Sequence, residues 1–198
     1  MNRPTLHLAS GSPRRREILE AMGLRFTYAG VDVDEARLGG ELATDMALRL
    51  AAAKAAAAGR PGVVIGADTI VVLGDQVFGK PATREDALRM LAELSGRTHE
   101  VLTAVAVQVD GRSRAALSRT RVRFRNLGPD EAARYWHSGE PADKAGAYAV
   151  QGLGGIFVAE IQGSYSGVVG LPVYETAALL EDAGIDILPP LFDGKPQS

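Results

Sequence analysis

The most hydrophobic stretch of the chain, residues 63–73, is a near-continuous run of Val, Ile and Leu, the pattern of a strand covered on both faces. Upstream, residues 5–9 predict a short apolar strand. Ile18, Leu19 and Met22 then fall on one face of a helix that starts after Ser12, a suitable N-cap, with Pro13 at its first position. Phe26, Tyr28, Val31 and Val33 alternate, predicting a second strand over residues 25–33 that runs into the acidic cluster Asp32-Val-Asp-Glu35. From residue 41 to 58, Leu42, Met46, Leu50 and a run of alanines predict a helix with Lys54 near its end. Gly59-Arg-Pro-Gly62 stops it.

Beyond the apolar run, Gly74-Asp75 turns the chain towards Val77-Phe-Gly-Lys-Pro81. Thr83-Arg-Glu-Asp86 has the outline of a capping box, with Asp in place of Glu or Gln, and opens a helix through Leu94 that Ser95-Gly96 closes. Two β-patterned runs, residues 100–109 and 115–124, meet at Asp110-Gly111, a hairpin signal. A short helix over residues 129–138 follows, then a loop over 139–148. After it come a strand over 156–161, a polar glycine-rich loop over 162–167 and a last helix from Pro172 to about residue 183. No repeat or low-complexity linker interrupts this order. Residues 1–190 therefore read as a single α/β unit, and residues 191–198 as a flexible tail.

Composition narrows the class. The 198 residues, 46% hydrophobic and 23% charged with a net charge of −2, suit a soluble globular protein with one sizeable core. A near-neutral balance gives no support for a nucleic-acid polymer as partner. There is no cysteine, which excludes disulfides, thiolate catalysis and cysteine-bound zinc. Residues 1–6 hold no apolar run suited to a signal peptide, and no window approaches a membrane span. The expectation is a cytoplasmic protein with no membrane partner.

Charge changes the picture at the first helix. Arg14, Arg15 and Arg16 occupy its first turn, where the helix dipole favours carboxylates, and each cation forgoes roughly 0.3–1 kcal/mol. Free amides at a helix start, the hydroxyls of Ser10 and Ser12, and guanidinium forks together suit a phosphate group. The plainer alternative is an exposed basic turn. Asp68 interrupts the most hydrophobic strand. A buried carboxylate there must be paired, bound to a metal or face a cleft, unless it caps the strand's own turn. Glu35 is a second candidate carboxylate, set against its reading as part of an acidic surface loop.

Lys54, among alanines, and Lys80, in the rigid turn Gly79-Lys-Pro81, are candidate cations, each also readable as a solvated surface lysine. His99 has no serine nucleophile at a recognisable elbow and reads as structural. Gly152, Gly154 and Gly155 superficially match a dinucleotide fingerprint, but a strand follows where the motif needs a helix. No His-Glu-x-x-His spacing occurs, so any metal is expected to be a hard divalent ion held by carboxylate and phosphate oxygens.

Seven stretches occur in order: Ser10-Gly-Ser-Pro-Arg-Arg15, Gly66-Ala-Asp-Thr69, Gly79-Lys-Pro81, Ser95-Gly-Arg-Thr-His99, Asp143-Lys-Ala-Gly-Ala-Tyr148, Gln151-Gly152 and Gly170-Leu-Pro172. With them the chain, from Leu8 to about Leu188, resembles the Maf family of septum-formation-inhibitor-like nucleoside triphosphate pyrophosphatases. The resemblance implies a mixed α/β fold similar to the inosine triphosphate pyrophosphatases: a curved mixed β-sheet flanked by helices, with two lobes around a deep cleft. It implies a homodimer, and hydrolysis of a nucleoside triphosphate to the monophosphate and pyrophosphate. The family's proton acceptor corresponds to Asp68. Its specificity positions correspond to Arg14, Thr69 and Gln151, which are like the branch acting on dTTP and UTP. The branch acting on 7-methyl-GTP tends to carry an aromatic residue, Gln and Glu there. Gly167 departs from the pattern, since relatives often have a larger polar residue such as Asn.

The residues themselves fit this. Ser10, Ser12, Arg14, Arg15, Lys54 and Lys80 offer charge and hydroxyls for a polyphosphate. Glu35 and Asp68 offer carboxylates for Mg²⁺ or Mn²⁺ and for activating water. The Gln151 carboxamide has one donor and one acceptor for the N3–H and O4 edge of uracil or thymine. The expected function is thus a dTTP/UTP pyrophosphatase, with modified pyrimidine triphosphates as further substrates. The alternatives are a 7-methyl-GTP pyrophosphatase and a non-catalytic nucleotide-binding regulator of cell division, which would have no use for a carboxylate facing the phosphates.

Overall fold

A computed structural model describes residues 5–188, so the expected tail at 191–198 lies outside the described residues. The elements run β1 (Leu6–Leu8), α1 (Pro13–Ala21), β2 (Thr27–Tyr28), α2 (Ala43–Ala57), β3 (Val63–Leu73), β4 (Gln76–Phe78), α3 (Arg84–Leu94), β5 (Thr98–Val109), β6 (Arg112–Phe124), α4 (Pro129–His137), β7 (Val158–Gln162), α5 (Tyr165–Val169) and α6 (Val173–Asp182). The strands make one seven-stranded mixed sheet in the order β2-β1-β3-β5-β6-β7, with β4 also paired to β3. β1 is parallel to β2 and β3, and every other pair is antiparallel.

β3 lies at the centre, and alternation along it feeds three cores. Val64, Ile70 and Val72 meet α2 on one face, through Met46, Ala47 and Leu50. On the other face, Val63, Ile65 and Ala67 pack with Leu19 and Leu180 of α1 and α6. Further along that same face, Val71 packs with Leu91 of α3 and with Tyr135, Tyr148 and Phe157. Two lobes therefore share one face of the sheet. They part at Thr69 and its neighbour Thr103 on β5, which belong to neither apolar cluster.

Several expected elements differ. The strand expected over residues 25–33 is reduced to two residues, because β1, its pairing partner, is only three residues long and the last rung is Ala29 N–H to Leu8 O at 3.1 Å. The stretch expected to be a polar loop at 162–167 contains the start of α5, where the Ser164 hydroxyl accepts from the Gly167 N–H at 3.0 Å and caps the helix. The strand expected from residue 156 starts at Val158, because Leu153–Phe157 winds as a 3₁₀ turn first. The loop at 139–148 likewise holds 3₁₀ turns at Glu140–Asp143 and Ala145–Ala147. The capping box of α3 is half made: Thr83 accepts from the Asp86 N–H at 3.2 Å, but the Asp86 carboxylate reaches back to the Ala82 N–H. The hairpin turn is as expected, with φ of 48° at Asp110 and 79° at Gly111, the left-handed pair that a two-residue loop requires.

Candidate active site

The site grows from a gap in the sheet. One edge of β3 is paired with β5 from Val63 to Val72. The other edge is shared: β1 takes Val63 to Ile65 and β4 takes Val71 to Leu73, and among the described residues no strand pairs with residues 66–70 on this edge. Because β1 is parallel to β3 and β4 antiparallel, both strands end at this gap from opposite sides. The segment after β1 therefore enters the gap with Ser10, Ser12, Arg14 and Arg15, and the turn after β4 enters it with Gly79 and Lys80. A cleft of about 470 Å³ opens there, and all ten candidate residues line it. Asp68 and Thr69 form its floor and, as neighbours in a strand, point to opposite faces.

Asp68 is only 7% exposed, and it is paired. Lys54 of α2 donates to its Oδ1 at 2.7 Å and also meets Glu35 Oε1 at 2.6 Å. The expected polyphosphate cation is thus committed to two carboxylates. Burial pushes the Glu35 carboxyl up, but Lys54, with Lys80 and Arg15 beyond it, outweighs this and holds it below the usual range. Local sequence explains the reach of Lys54. Alanine is the strongest helix former, and its small side chain lets α2 lie close to the sheet. The approach is closest at Gly66, where a Cβ would stand 2.2 Å from the Ala51 carbonyl oxygen and 2.5 Å from the Ala55 nitrogen.

On the Thr69 side the contacts are uncharged on the acceptor side. Arg15 donates to Gly170 O at 2.8 Å, to the Ser10 hydroxyl at 3.2 Å and to the Thr69 hydroxyl at 3.4 Å. Burial pulls the Arg15 guanidinium below its ordinary value, with Asp68 opposing and Arg14 adding to the effect. Thr103 donates its hydroxyl proton to Gly167 O at 2.7 Å and can accept from the Thr69 hydroxyl at 3.1 Å, so the hydroxyl of Thr69 is fixed from behind.

Ser12 occupies the N-cap position of α1, but its hydroxyl caps nothing, contrary to the expectation; its N–H donates to Ser10 at 3.2 Å instead. The first-turn amides of α1 are left for a ligand. Arg14 makes no ion pair among the described residues, nor does Lys80. Arg16 leaves the cluster: its guanidinium stacks on Tyr28 at 4.4 Å and does not line the cleft.

Gln151 lies in an irregular segment on the far wall, exposed, with no hydrogen bond to the protein among the described residues. Behind that segment His99 is 1% exposed, 2.8 Å from the Tyr148 hydroxyl and edge-on to the Phe124 ring. Burial lowers its pKa to about 4, and it does not line the cleft. Two charged cleft residues had no role assigned from sequence, Asp143 and Lys144, which pair with each other. Burial pushes the Asp143 carboxyl up, but Lys144 and Arg14 outweigh it. Their only signal was their place in the Asp143-Lys-Ala-Gly-Ala-Tyr148 motif.

Among the described residues no cluster of three or more His, Cys, Asp or Glu side chains could hold a metal. Glu35 and Asp68 converge on one ammonium, however, so both lie within reach of one cation. Two carboxylates completed by phosphate and water oxygens are a donor set that suits Mg²⁺ or Mn²⁺, so the residues fit such an ion. Chemically, the cleft joins a carboxylate to Arg14, Arg15 and Lys80, cations with no ion pair among the described residues, and this suits a polyanion.

No helix among the described residues is long and apolar enough to cross a membrane. A solved structure described as the Staphylococcus aureus Ham1 protein overlaps 61% of this chain and 71% of its own, at 15% identity and a TM-score of 0.43, too loosely to bear on fold or function. Curated relatives are far more similar. A protein of Methylococcus capsulatus is 55% identical over 91% of each chain. One of Bordetella parapertussis is 52% identical over 93% of this chain and 95% of its own, and one of Hahella chejuensis 50% identical over the same shares. All three carry the name dTTP/UTP pyrophosphatase. The family model for Maf-like proteins matches residues 5–183, and on that match and these identities the chain belongs to the Maf family.

Proposed function

We propose that the chain hydrolyses dTTP and UTP, with modified pyrimidine triphosphates as further substrates, to the monophosphate and pyrophosphate. The observation that carries this reading is the gap in the sheet: a carboxylate on its floor, entered from both ends by segments bearing unneutralised cations. The names of the relatives supply the substrate class. In this reading Ser10, Ser12, Arg14, Arg15, Lys80 and the first amides of α1 hold the phosphates. A water oxygen bonds to the α phosphorus as the bond from that phosphorus to the bridging oxygen breaks, and pyrophosphate leaves. The water's proton passes to Asp68, whose Oδ2 accepts no hydrogen bond from the described residues. Lys54 keeps Asp68 and Glu35 together. Those two carboxylates would hold Mg²⁺ or Mn²⁺, which when bound supplies positive charge to the phosphate oxygens. Thr69 and Gln151 face the base. A cytoplasmic setting and a homodimer belong to the same proposal, on the family resemblance.

The test is pyrophosphate release from a panel of purine and pyrimidine triphosphates with Mg²⁺ or Mn²⁺. dTTP and UTP are expected to be the best substrates, and Asp68→Asn to abolish turnover while nucleotide binding survives. A preference for 7-methyl-GTP would overturn the substrate, binding without turnover in the wild type would favour the regulator, and near-normal turnover in Asp68→Asn would remove the catalytic assignment. Sedimentation at the mass of one chain would remove the dimer.

A further inference from the structure

Behind the wall that presents Gln151, and outside the cleft, a single carboxylate collects three donors. Glu140 accepts from the Leu153 N–H at 2.9 Å on Oε2, and from the Gly154 N–H at 2.9 Å and the Tyr135 hydroxyl at 2.7 Å on Oε1. The Tyr135 oxygen in turn accepts from the Ala149 N–H at 3.1 Å. Both ends of residues 149–154 are thus tied to one point, with Gln151 between them. The glycines are fitted to the clamp. Gly152 has φ of 135°, and a Cβ there would stand 2.4 Å from Glu140 Oε2. A Cβ at Gly154 would stand 2.5 Å from the Tyr135 hydroxyl. Neither Glu140 nor Tyr135 lines the cleft.

We infer that Glu140, working with Tyr135, is a positioning residue for base selection: it sets the backbone from which Gln151 meets the pyrimidine. The inference rests on the reading of Gln151 given above. Its chemistry is consistent. Burial pushes the Glu140 carboxyl up, but the Gly154 amide, the Tyr135 hydroxyl and the Leu153 amide outweigh it and keep it an acceptor. Burial and Glu140 push the Tyr135 phenol up, so it remains a donor. Gln151 makes no hydrogen bond to the described residues, so the backbone that carries it sets its aim.

The test is a double-mutant cycle between Glu140→Gln and Gln151→Ala, read as kcat/KM for UTP and for GTP, with Tm measured alongside. Glu140→Gln keeps size and shape but turns one acceptor into a donor that faces an N–H or O–H. Selectivity for UTP over GTP is expected to narrow by about tenfold, and the same change made on Gln151→Ala to shift it by less than about twofold, because coupled residues lose one interaction only once. Tyr135→Phe keeps the packing and cuts only the ties of its hydroxyl, so it serves if Glu140→Gln folds poorly, and a narrowing of about threefold is expected. Equal losses in both Gln151 backgrounds, or unchanged selectivity in Glu140→Gln and Tyr135→Phe, would overturn the positioning role. A wild type that does not distinguish UTP from GTP, or a Gln151→Ala that distinguishes them as well as wild type does, would instead overturn the reading of Gln151.

Discussion

The two irregular segments that border the cleft are held in opposite ways. The segment at 30–42, which carries Glu35, is fastened by guanidinium groups at the surface. Arg49 meets Glu41 at 2.6 Å and donates to Ala36 O at 3.0 Å, while Arg37 donates to Glu41 O at 2.9 Å and to Asp75 O at 3.4 Å. The segment at 144–154, which carries Gln151, is fastened from within by the Glu140 and Tyr135 clamp and by the edge-to-face cluster of His99, Tyr148 and Phe124. Guanidinium ties with a solvent-accessible partner are screened by salt and each holds weakly, whereas the buried bonds of the second segment, Ala149 N–H to the Tyr135 hydroxyl and His99 to Tyr148, are costly to leave unmade. On the proposed reading, the carboxylate assigned to the metal thus sits on the softer wall, and the amide assigned to the base on the firmer one. A triphosphate's charges tolerate small displacements because Coulomb attraction falls slowly with distance, while donor-to-acceptor matching does not.

The largest effect should come from acid, acting on the firm wall. The folded-state pKa of His99 lies at about 4 against an ordinary 6.5, so its contribution to stability is complete above pH 6.5 and is lost as pH falls towards 4, because the unfolded chain binds that proton more readily. The loss is about 3 kcal/mol in all. Tm followed from pH 7 to pH 4 should fall more steeply for wild type than for His99→Gln, and parallel curves would show that His99 does not titrate in that window. Next comes Gln151→Glu, which keeps the size of the side chain and turns the donor proposed to meet O4 into a charged acceptor. kcat/KM for dTTP and UTP is expected to fall by about tenfold or more, and discrimination against 7-methyl-GTP to narrow. An unmoved ratio would mean that Gln151 does not read the base. Arg49→Gln should be mildest, lowering kcat/KM by about threefold or less in dilute buffer and by progressively less as salt rises. A deficit unaffected by salt would place the Glu35 wall among the firm ones.

Much of this arrangement was legible in the chain. The near-continuous apolar run marks β3 because a strand covered on both faces has no polar side, and the one carboxylate inside it had to be paired, hold a metal or face a cleft unless it capped the strand's own turn. The misplaced arginines of α1 pointed to an anion, and two of the three do face the cleft. What could not be read was set by tertiary packing. Arg16 stacks on Tyr28 because the helical turn carries it away from the gap. Lys54 joins Glu35 and Asp68 only because α2 lies on β3 beneath the loop that carries Glu35. The Glu140 clamp left no trace in periodicity, since it binds backbone amides that every residue has. The alternation at residues 25–33 predicted too much strand because a pattern says which face is apolar, not how long the neighbouring strand is.

At Gly66 the separation of α2 from β3 is set by a single hydrogen atom, and that separation works as a ruler for the charges beyond it. Lys54 and Asp68 are mounted on the two bodies whose spacing it gauges, so a methyl group at residue 66 would push the two apart and lengthen the ion pair. Tolerance at this position is therefore narrower than its apolar surroundings suggest, and drift towards alanine, harmless to strand pairing, would be felt as a change in the site's electrostatics. A residue that can never touch a substrate thus comes under the same constraint as those that do.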